Sequence, residues 1–395
     1  MVRLHDLLRS PPIITALIIG LALRVVLALV TPVGGASEAA RLSSYNDEIA
    51  HLNYVRYVLE NGRLPERVES IQAEGALERG AFENYQPPLY YAVVAAICRL
   101  AGQRDLAEVA LVARLTALVC SLMLLWILLR IATESSLVPE RVAAAVVFWA
   151  LNGVMVRFGS TAGNDALFWV CAGGMILTAL RMERSDSGLR DFLSFGAFAV
   201  AALYTKLSAL ILLPLPFLAW GRNRRGRWFM QCVVMMLLIL AAAGTVWWRN
   251  VHSFGSLLPL DSGFGAAHWR VPDLLSVGYA IRSFFFPWHE LWRGAVGLTL
   301  MAPLMLMACA ALVRRTQWQA LWPAPVLLAA LILTFIAYLG LNLRYDQAEA
   351  RYLFAAWPAL AVLLSLPLRT QAARWVLVVA SLLPYALMLL PSVAS

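Results

Sequence analysis

Apolar positions in this chain run in long unbroken stretches, without the period-2 alternation of an exposed strand or the single apolar stripe of a soluble helix. Lipid offers no partners for open backbone groups, so a spanning helix needs roughly 17 to 25 mainly apolar residues. Eleven stretches read as spans, near 11–31, 109–130, 142–158, 165–181, 191–205, 207–220, 228–247, 295–313, 322–341, 353–367 and 374–391. The first follows a basic stub with Arg3 and Arg9 and has no convincing small-residue cleavage site, so it is read as a retained helix. The run "PPLYYAVVAAICRLAG" is apolar but short: about 15 residues cover only about 22 Å of a core of about 30 Å. It is read as a tilted, re-entrant or interfacial helix.

Polar loops between the runs set the sides. "RMERSDSGLR" and above all "GRNRRGRW" carry the basic excess expected of cytoplasmic loops, as do "VRRTQ" and "LRTQAAR". The opposite face then receives a first outer loop at 33–86, a second at 247–293, and the short segments 159–165, 205–207 and 342–352. The chain reads as one all-α transmembrane unit over 1–395. Counting "PPLYYAVVAAICRLAG" as a full span would put "GRNRRGR" outside, which is a second reason for treating it as interfacial.

Composition agrees. The 395 residues are 61% hydrophobic and 14% charged, which excludes a soluble globular domain. A net charge of +9 is accounted for by loop arginines, so nucleic acid is not implied. The five cysteines all lie in apolar runs without CxxC spacing and read as packing residues.

Against this background the outer face collects unusual residues. In "SSYNDEIAHLNYVRYVLENGRLP" Asp47 and Glu48 open a helix that Asn61-Gly62 should end, and His51 lies one turn beyond Asp47. Acids in a first turn suit the helix dipole, and at a membrane face they also suit a general base or a metal site. Asn164 and Asp165 begin a span; Asp165 is either a cap or, as an acid near lipid, a functional group. With Asp47 and Glu48 it is a candidate oxygen ligand for a divalent cation, magnesium or manganese. Lys206 is the only lysine in the chain and lies on the side where basic residues are disfavoured. A buried ammonium needs an anion, and a phosphate headgroup is one. Arg249 and Arg351 lie at outer helix ends, where arginine either snorkels or forks onto phosphate. His289 and Glu290 fall in an amphipathic interfacial segment.

The ordered elements "NDE", "QPPLYY", "ARL", "NDAL", "TKLSAL" and "RYLFAAWP" resemble the GT-C glycosyltransferases, in the branch of protein O-mannosyltransferases and aminoarabinose transferases. The resemblance implies a GT-C fold, with interfacial helices in the first outer loop. It further implies an inverting transfer of sugar from a polyprenyl-phosphate carrier to a lipid, glycan or protein acceptor. The setting it implies is the inner (plasma) membrane, with the site facing the periplasm or exterior. In it Asp47 is the general base with Glu48 beside it. Arg114, Lys206, Arg351 and Tyr352 hold the donor phosphate, and His51, Gln86, Asp165 and Arg249 bind or support substrate. The sequence is shorter than the best-known members and reads as lacking their large soluble domain. A transporter or lipid-binding protein is the alternative reading; it should show inverted repeats and broken midplane helices.

Overall fold

The computed structural model describes residues 11–31, 46–65, 82–135, 137, 139–184, 187–223, 226–260, 268–269, 271–285, 325–345, 347, 349–364 and 378. Among them regular structure is helical. In chain order the elements used below are α1 (Pro11–Val30), α2 (Asn46–Asn61), α3 (Leu89–Ala101), α4 (Leu106–Glu134), α5 (Pro139–Leu151), α6 (Gly153–Phe158), α7 (Asp165–Met182) and α8 (Leu189–Leu203). They continue with α9 (Leu215–Asn223), α10 (Gly226–Phe254), α11 (Leu274–Phe285), α12 (Pro325–Arg344) and α13 (Trp357–Leu364). Short 3₁₀ turns occupy Phe82–Tyr85, Leu207–Leu212 and Ala350–Ala356.

Five of these helices are long and apolar enough to cross a bilayer: α1, α4, α7, α10 from Trp228, and α12. This makes the chain a multi-pass membrane protein, though not one with eleven uninterrupted helices. The expected span near 295–313, and that near 374–391 but for residue 378, lie outside the described residues. The one near 142–158 is broken at Asn152, and that near 207–220 is a 3₁₀ turn followed by α9. The run after the double proline folds as the 13-residue α3, about 20 Å long and too short to cross alone.

The bundle is organised around α7. Its apolar window is 89% buried, against 28% for α1, because α4, α8 and α12 pack around it. A second apolar cluster forms where α2 meets α3 and α4, through Leu52, Tyr54, Val55, Tyr90, Tyr91, Val94 and Ala113. α2 is thereby fixed to the bundle. As the sequence implied, α2 stops at Asn61, and Gly62 takes the left-handed conformation at φ 66°.

The break between α5 and α6 is built with care for backbone groups. Asn152 is extended, its Oδ1 accepting from the Met155 N–H at 3.2 Å. Breaking the ladder frees the carbonyls of Trp149 and Ala150, which in a continuous helix would be taken by the residues four positions on. Arg24 of α1, fully buried, supplies the missing donors: Nη2 to Trp149 O at 2.7 Å and Nη1 to Ala150 O at 2.8 Å. Its Nε donates to Ser121 Oγ at 2.9 Å, and the guanidinium lies over the Trp149 ring. Gly20 lets α1 approach closely enough, since a Cβ there would come within 2.3 Å of Ala150 O.

Arg24→Leu therefore leaves buried carbonyls without donors, each costing about 1–3 kcal/mol. A lower melting temperature in detergent is expected despite the gain in apolarity, with Arg24→Lys intermediate. An unchanged melt for Arg24→Leu would show that the fork is dispensable.

Candidate functional site

The ends of α2, α6 and α7, the Thr205–Lys206 junction and the turn Ala350–Ala356 converge on one charged cluster. At its centre is Arg351. Its Nη2 donates to Asp47 Oδ2 at 2.7 Å, its Nη1 lies 3.6 Å from Asp165 Oδ2, and its Nε lies 3.1 Å from Glu349 Oε2. Lys206 Nζ donates to Asp165 Oδ1 at 2.6 Å and sits over the Tyr352 ring. The Tyr352 hydroxyl accepts from Arg351 and donates to Gln347 Oε1, each at 3.2 Å. Asp165 thus begins α7 without capping it: its carboxylate is spent on Lys206 and Arg351.

Local structure explains each placement. Lys206 follows the end of α8, where the backbone turns extended at φ −157° and ψ 129° before the 3₁₀ turn, so its side chain is delivered inward. Asn164 precedes α7 and donates to Thr205 O at 3.2 Å, tying the Asp165 and Lys206 backbones together. Arg249 of α10 donates to the carbonyls of Pro65, Asn84 and Gln86 at 3.0, 2.5 and 3.2 Å, so it positions the first loop.

Glu48 and Arg114 form a separate pair. Arg114 Nε and Nη2 each meet a Glu48 oxygen at 2.9 Å, and Arg114 Nη1 donates to Ala28 O and Thr31 O. Glu48 Oε1 also accepts from the Ala162 N–H at 2.8 Å. Both side chains are almost fully buried. Their fork ties α2 to α4, to the end of α1 and to the segment before α7. Arg114, expected at the phosphate, and Glu48, expected beside the base, are therefore engaged with each other. His51 is likewise turned away from Asp47: its Nδ1 meets the Tyr91 hydroxyl at 2.8 Å and its ring stacks on Tyr91. Burial, then the charge of Lys206, pushes His51 down to about 3, so it is neutral.

The cluster also contains groups not singled out from sequence. Arg157, at the end of α6 and buried, acts on Asp47 and Glu349 through its charge. Glu83 and Glu349 are buried acids. Burial first, and Asp47 among their neighbours, pushes each up to about 8. Burial and then Asp165 push Asp47 up to about 7, against the pull of Lys206 and Arg157. At neutral pH three cations thus face Asp165 and a partly ionised Asp47, which leaves the cluster positive.

Among the described residues no three His, Cys, Asp or Glu side chains converge as metal ligands. Of the proposed ligands, Glu48 faces Arg114, while Asp47 and Asp165 are held by Arg351 and Lys206. As arranged, these carboxylates do not fit a divalent-cation cage.

A cavity of about 480 Å³ opens from the cluster. Its polar end is Gln86, Asp165, Lys206, Arg351 and Tyr352, and its wall is apolar, with Phe168, Trp169, Leu210, Ile211, Leu258 and Leu341. Arg344 stands exposed along the same wall.

Residues 85–248 match the family described as dolichyl-phosphate-mannose-protein mannosyltransferase, a stretch holding Arg114, Asp165 and Lys206 but neither Asp47 nor Arg351. No curated protein matches the chain. Among solved structures, ArnT from Cupriavidus metallidurans aligns with a TM-score of 0.55 at 16% identity in the apo state, covering 91% of this chain and 60% of ArnT. ArnT bound to undecaprenyl phosphate aligns equally well at 17% identity, covering 91% of this chain and 61% of ArnT. The Archaeoglobus fulgidus oligosaccharyltransferase tethered with an acceptor peptide aligns with a TM-score of 0.53 at 10% identity, over 97% of this chain and 55% of its own. The chain thus spans about three-fifths of the ArnT length. Its fold is that of ArnT and of the archaeal oligosaccharyltransferase, as the ordered motifs implied.

If Glu48 and Arg114 serve each other, losing one partner costs about 3–5 kcal/mol while losing both costs less than the sum. Denaturation of Glu48→Leu, Arg114→Leu and the double variant measures this; strict additivity would dissolve the pair.

Proposed function

We propose that this protein is an inverting glycosyltransferase that moves a sugar from a polyprenyl-phosphate carrier to an acceptor at the outer face of the inner membrane. The observation that carries the reading is the cavity whose charged end holds Lys206, Arg351 and Tyr352 and whose wall is apolar. A phosphate matches the first and an isoprenoid tail the second. A structural neighbour solved with undecaprenyl phosphate and a family match named for a dolichyl-phosphate donor support the same class.

In this mechanism Arg351 forks onto the donor phosphate and Lys206 adds a point charge beside it. Both stabilise the charge that grows on the leaving phosphate as the glycosidic bond breaks, the contribution usually largest in such sites. Phosphate arriving at Arg351 competes with Asp47 for the same guanidinium. Asp47, released from that contact, takes the proton of the acceptor hydroxyl or amine as the acceptor attacks the anomeric carbon. One base and one direct displacement invert the anomer; the electron pair leaves with the phosphate. Asp165 holds Lys206 and Arg351 in place. Glu48 and Arg114 contribute by fixing α2, on which Asp47 rides. The acceptor is a lipid, a glycan or a protein.

Transfer from radiolabelled polyprenyl-phosphate sugars by the purified protein tests this. Asp47→Asn should lower kcat by about 10²–10⁴-fold with donor binding kept; wild-type turnover would remove Asp47 as base. Because Asp47 sits near 7 and must be ionised to act, wild-type kcat should fall as pH drops through about 7. A flat profile between pH 5 and 8 (about one to two units around that value) would contradict the assignment. Sidedness is read by labelling single cysteines introduced near Asp47 and Arg224, which should react from opposite faces.

A further inference from the structure

The turn Phe82–Tyr85 puts Tyr85 on the wall of the cavity, where Asp165, Lys206, Arg351 and Tyr352 also stand. It is 5% exposed, and the mechanism above does not use it. A phenol can both accept and donate, so what Tyr85 offers the cavity depends on the role its neighbour leaves it.

A relay of three hydrogen bonds decides that role. It starts at the backbone carbonyl of Thr205, which can only accept. Asn164 Nδ2 donates to this oxygen at 3.2 Å, so the amide nitrogen and not its oxygen faces this corner. The same Nδ2 donates to Gln86 Oε1 at 3.3 Å, which fixes the Gln86 amide in turn. Gln86 Nε2 is then the atom left for Tyr85, and it donates to the phenol oxygen at 2.9 Å. Because the amide brings the proton to that contact, Tyr85 does not spend its own there. The Tyr85 proton is directed away from Gln86 and has no acceptor among the described residues.

The frame around this donor is fixed. Arg249 takes the carbonyls on either side of Tyr85, those of Asn84 and Gln86, and the Gln86 N–H closes the turn onto Glu83 O at 3.0 Å. Burial first, then the Glu83 carboxyl, holds the phenol well above its usual range, so Tyr85 stays protonated around neutral pH.

We propose that Tyr85 is a further donor-binding residue, whose hydroxyl donates to a non-bridging oxygen of the carrier phosphate. The inference rests on the donor reading above. The isoprenoid tail has nothing that accepts a proton, so the acceptor comes from the head of the ligand. With Lys206 and Arg351 drawing the phosphate to this end, its charged oxygens are the strongest acceptors there. Lys206 and Arg351 meet the phosphate while bonded to carboxylates; the Tyr85 proton has no such bond to give up. When the anomeric C–O bond breaks, the electron pair leaves the phosphate with a further negative charge, and Tyr85 keeps its proton throughout. A fixed donor beside that oxygen holds the growing charge without reorganising.

The test is equilibrium binding to the full chain in phosphatidylcholine nanodiscs, with undecaprenyl phosphate and undecaprenol as the two ligands. They share the tail and differ in the phosphate. The wild type should prefer the phosphate. Tyr85→Phe, which keeps the ring, should cut that preference about ten-fold or more, as expected for a hydrogen bond to a charged group. Undecaprenol should bind this variant as it binds the wild type. Gln86→Leu keeps the hydroxyl but removes the group that directs it, and should lose part of the same preference; it also serves as a second reading where Tyr85→Phe folds poorly. In transfer assays Tyr85→Phe should lower kcat too, because the bond strengthens as the phosphate leaves. The assignment is overturned if either folded variant leaves the preference unchanged, if both ligands weaken equally, or if only a sugar-bearing carrier weakens. A wild type that binds undecaprenol as tightly as its phosphate overturns the donor reading itself, and the assignment with it.

Discussion

A charge buried beside a membrane core must be answered by another charge, and Arg351 stands where three acidic side chains meet. Asp47, Asp165 and Glu349 come from α2, the start of α7 and the residue before a late turn, and each reaches the same guanidinium. A buried guanidinium or an ionised carboxylate left unpaired in a low-dielectric setting would cost several kcal/mol. The requirement therefore pins three distant parts of the chain together. Lys206 extends the cluster by holding Asp165 from the opposite side. Asp47, the cations and the mouth of the apolar cavity are consequently placed by one electrostatic demand, not by separate ones.

A second demand comes from the backbone. A site at one membrane face has to be assembled from helix ends, yet helix ends expose carbonyls and amides that lipid cannot satisfy. The structure meets this with side chains borrowed across the bundle. Arg24 covers the carbonyls opened by the break before α6, Arg249 gathers those of the first loop, and Asn164 takes that of Thr205. The Glu48–Arg114 fork does the same for whole elements, joining α2 to the bundle at the residue next to Asp47. These residues do no chemistry in the proposed mechanism, but they fix the distances on which it depends.

How far this was readable from sequence varies by residue. Asp165, Lys206 and Arg351 stood out because each is a charge at the end of an apolar run, on the side where the loop arginines are sparse, and Asp47 because two adjacent acids open a helix there; the structure brings all four together. The same criterion fits Arg157, which lies just before Gly159 at the end of a run that reads as one continuous span. Glu83 and Glu349 lie in polar-looking loops, and nothing local tells a buried acid from a solvated one. That Glu48 chooses Arg114 over a metal or substrate is a contact across 66 positions, visible only in the folded chain. Helix existence followed from apolar length; helix breaks did not. Asn152 and the turn at Leu207–Leu212 interrupt runs that composition alone would carry straight through.

Having a single lysine gives the molecule an unusual chemical address. Lys206 lies on the cavity wall with its side chain 14% exposed, and no other internal residue carries a primary amine. Isotope-labelled lysine thus reports from one position in a protein of 395 residues. A single side-chain resonance would follow the Asp165 contact, the cavity and its contents together, without engineering a reporter into the chain.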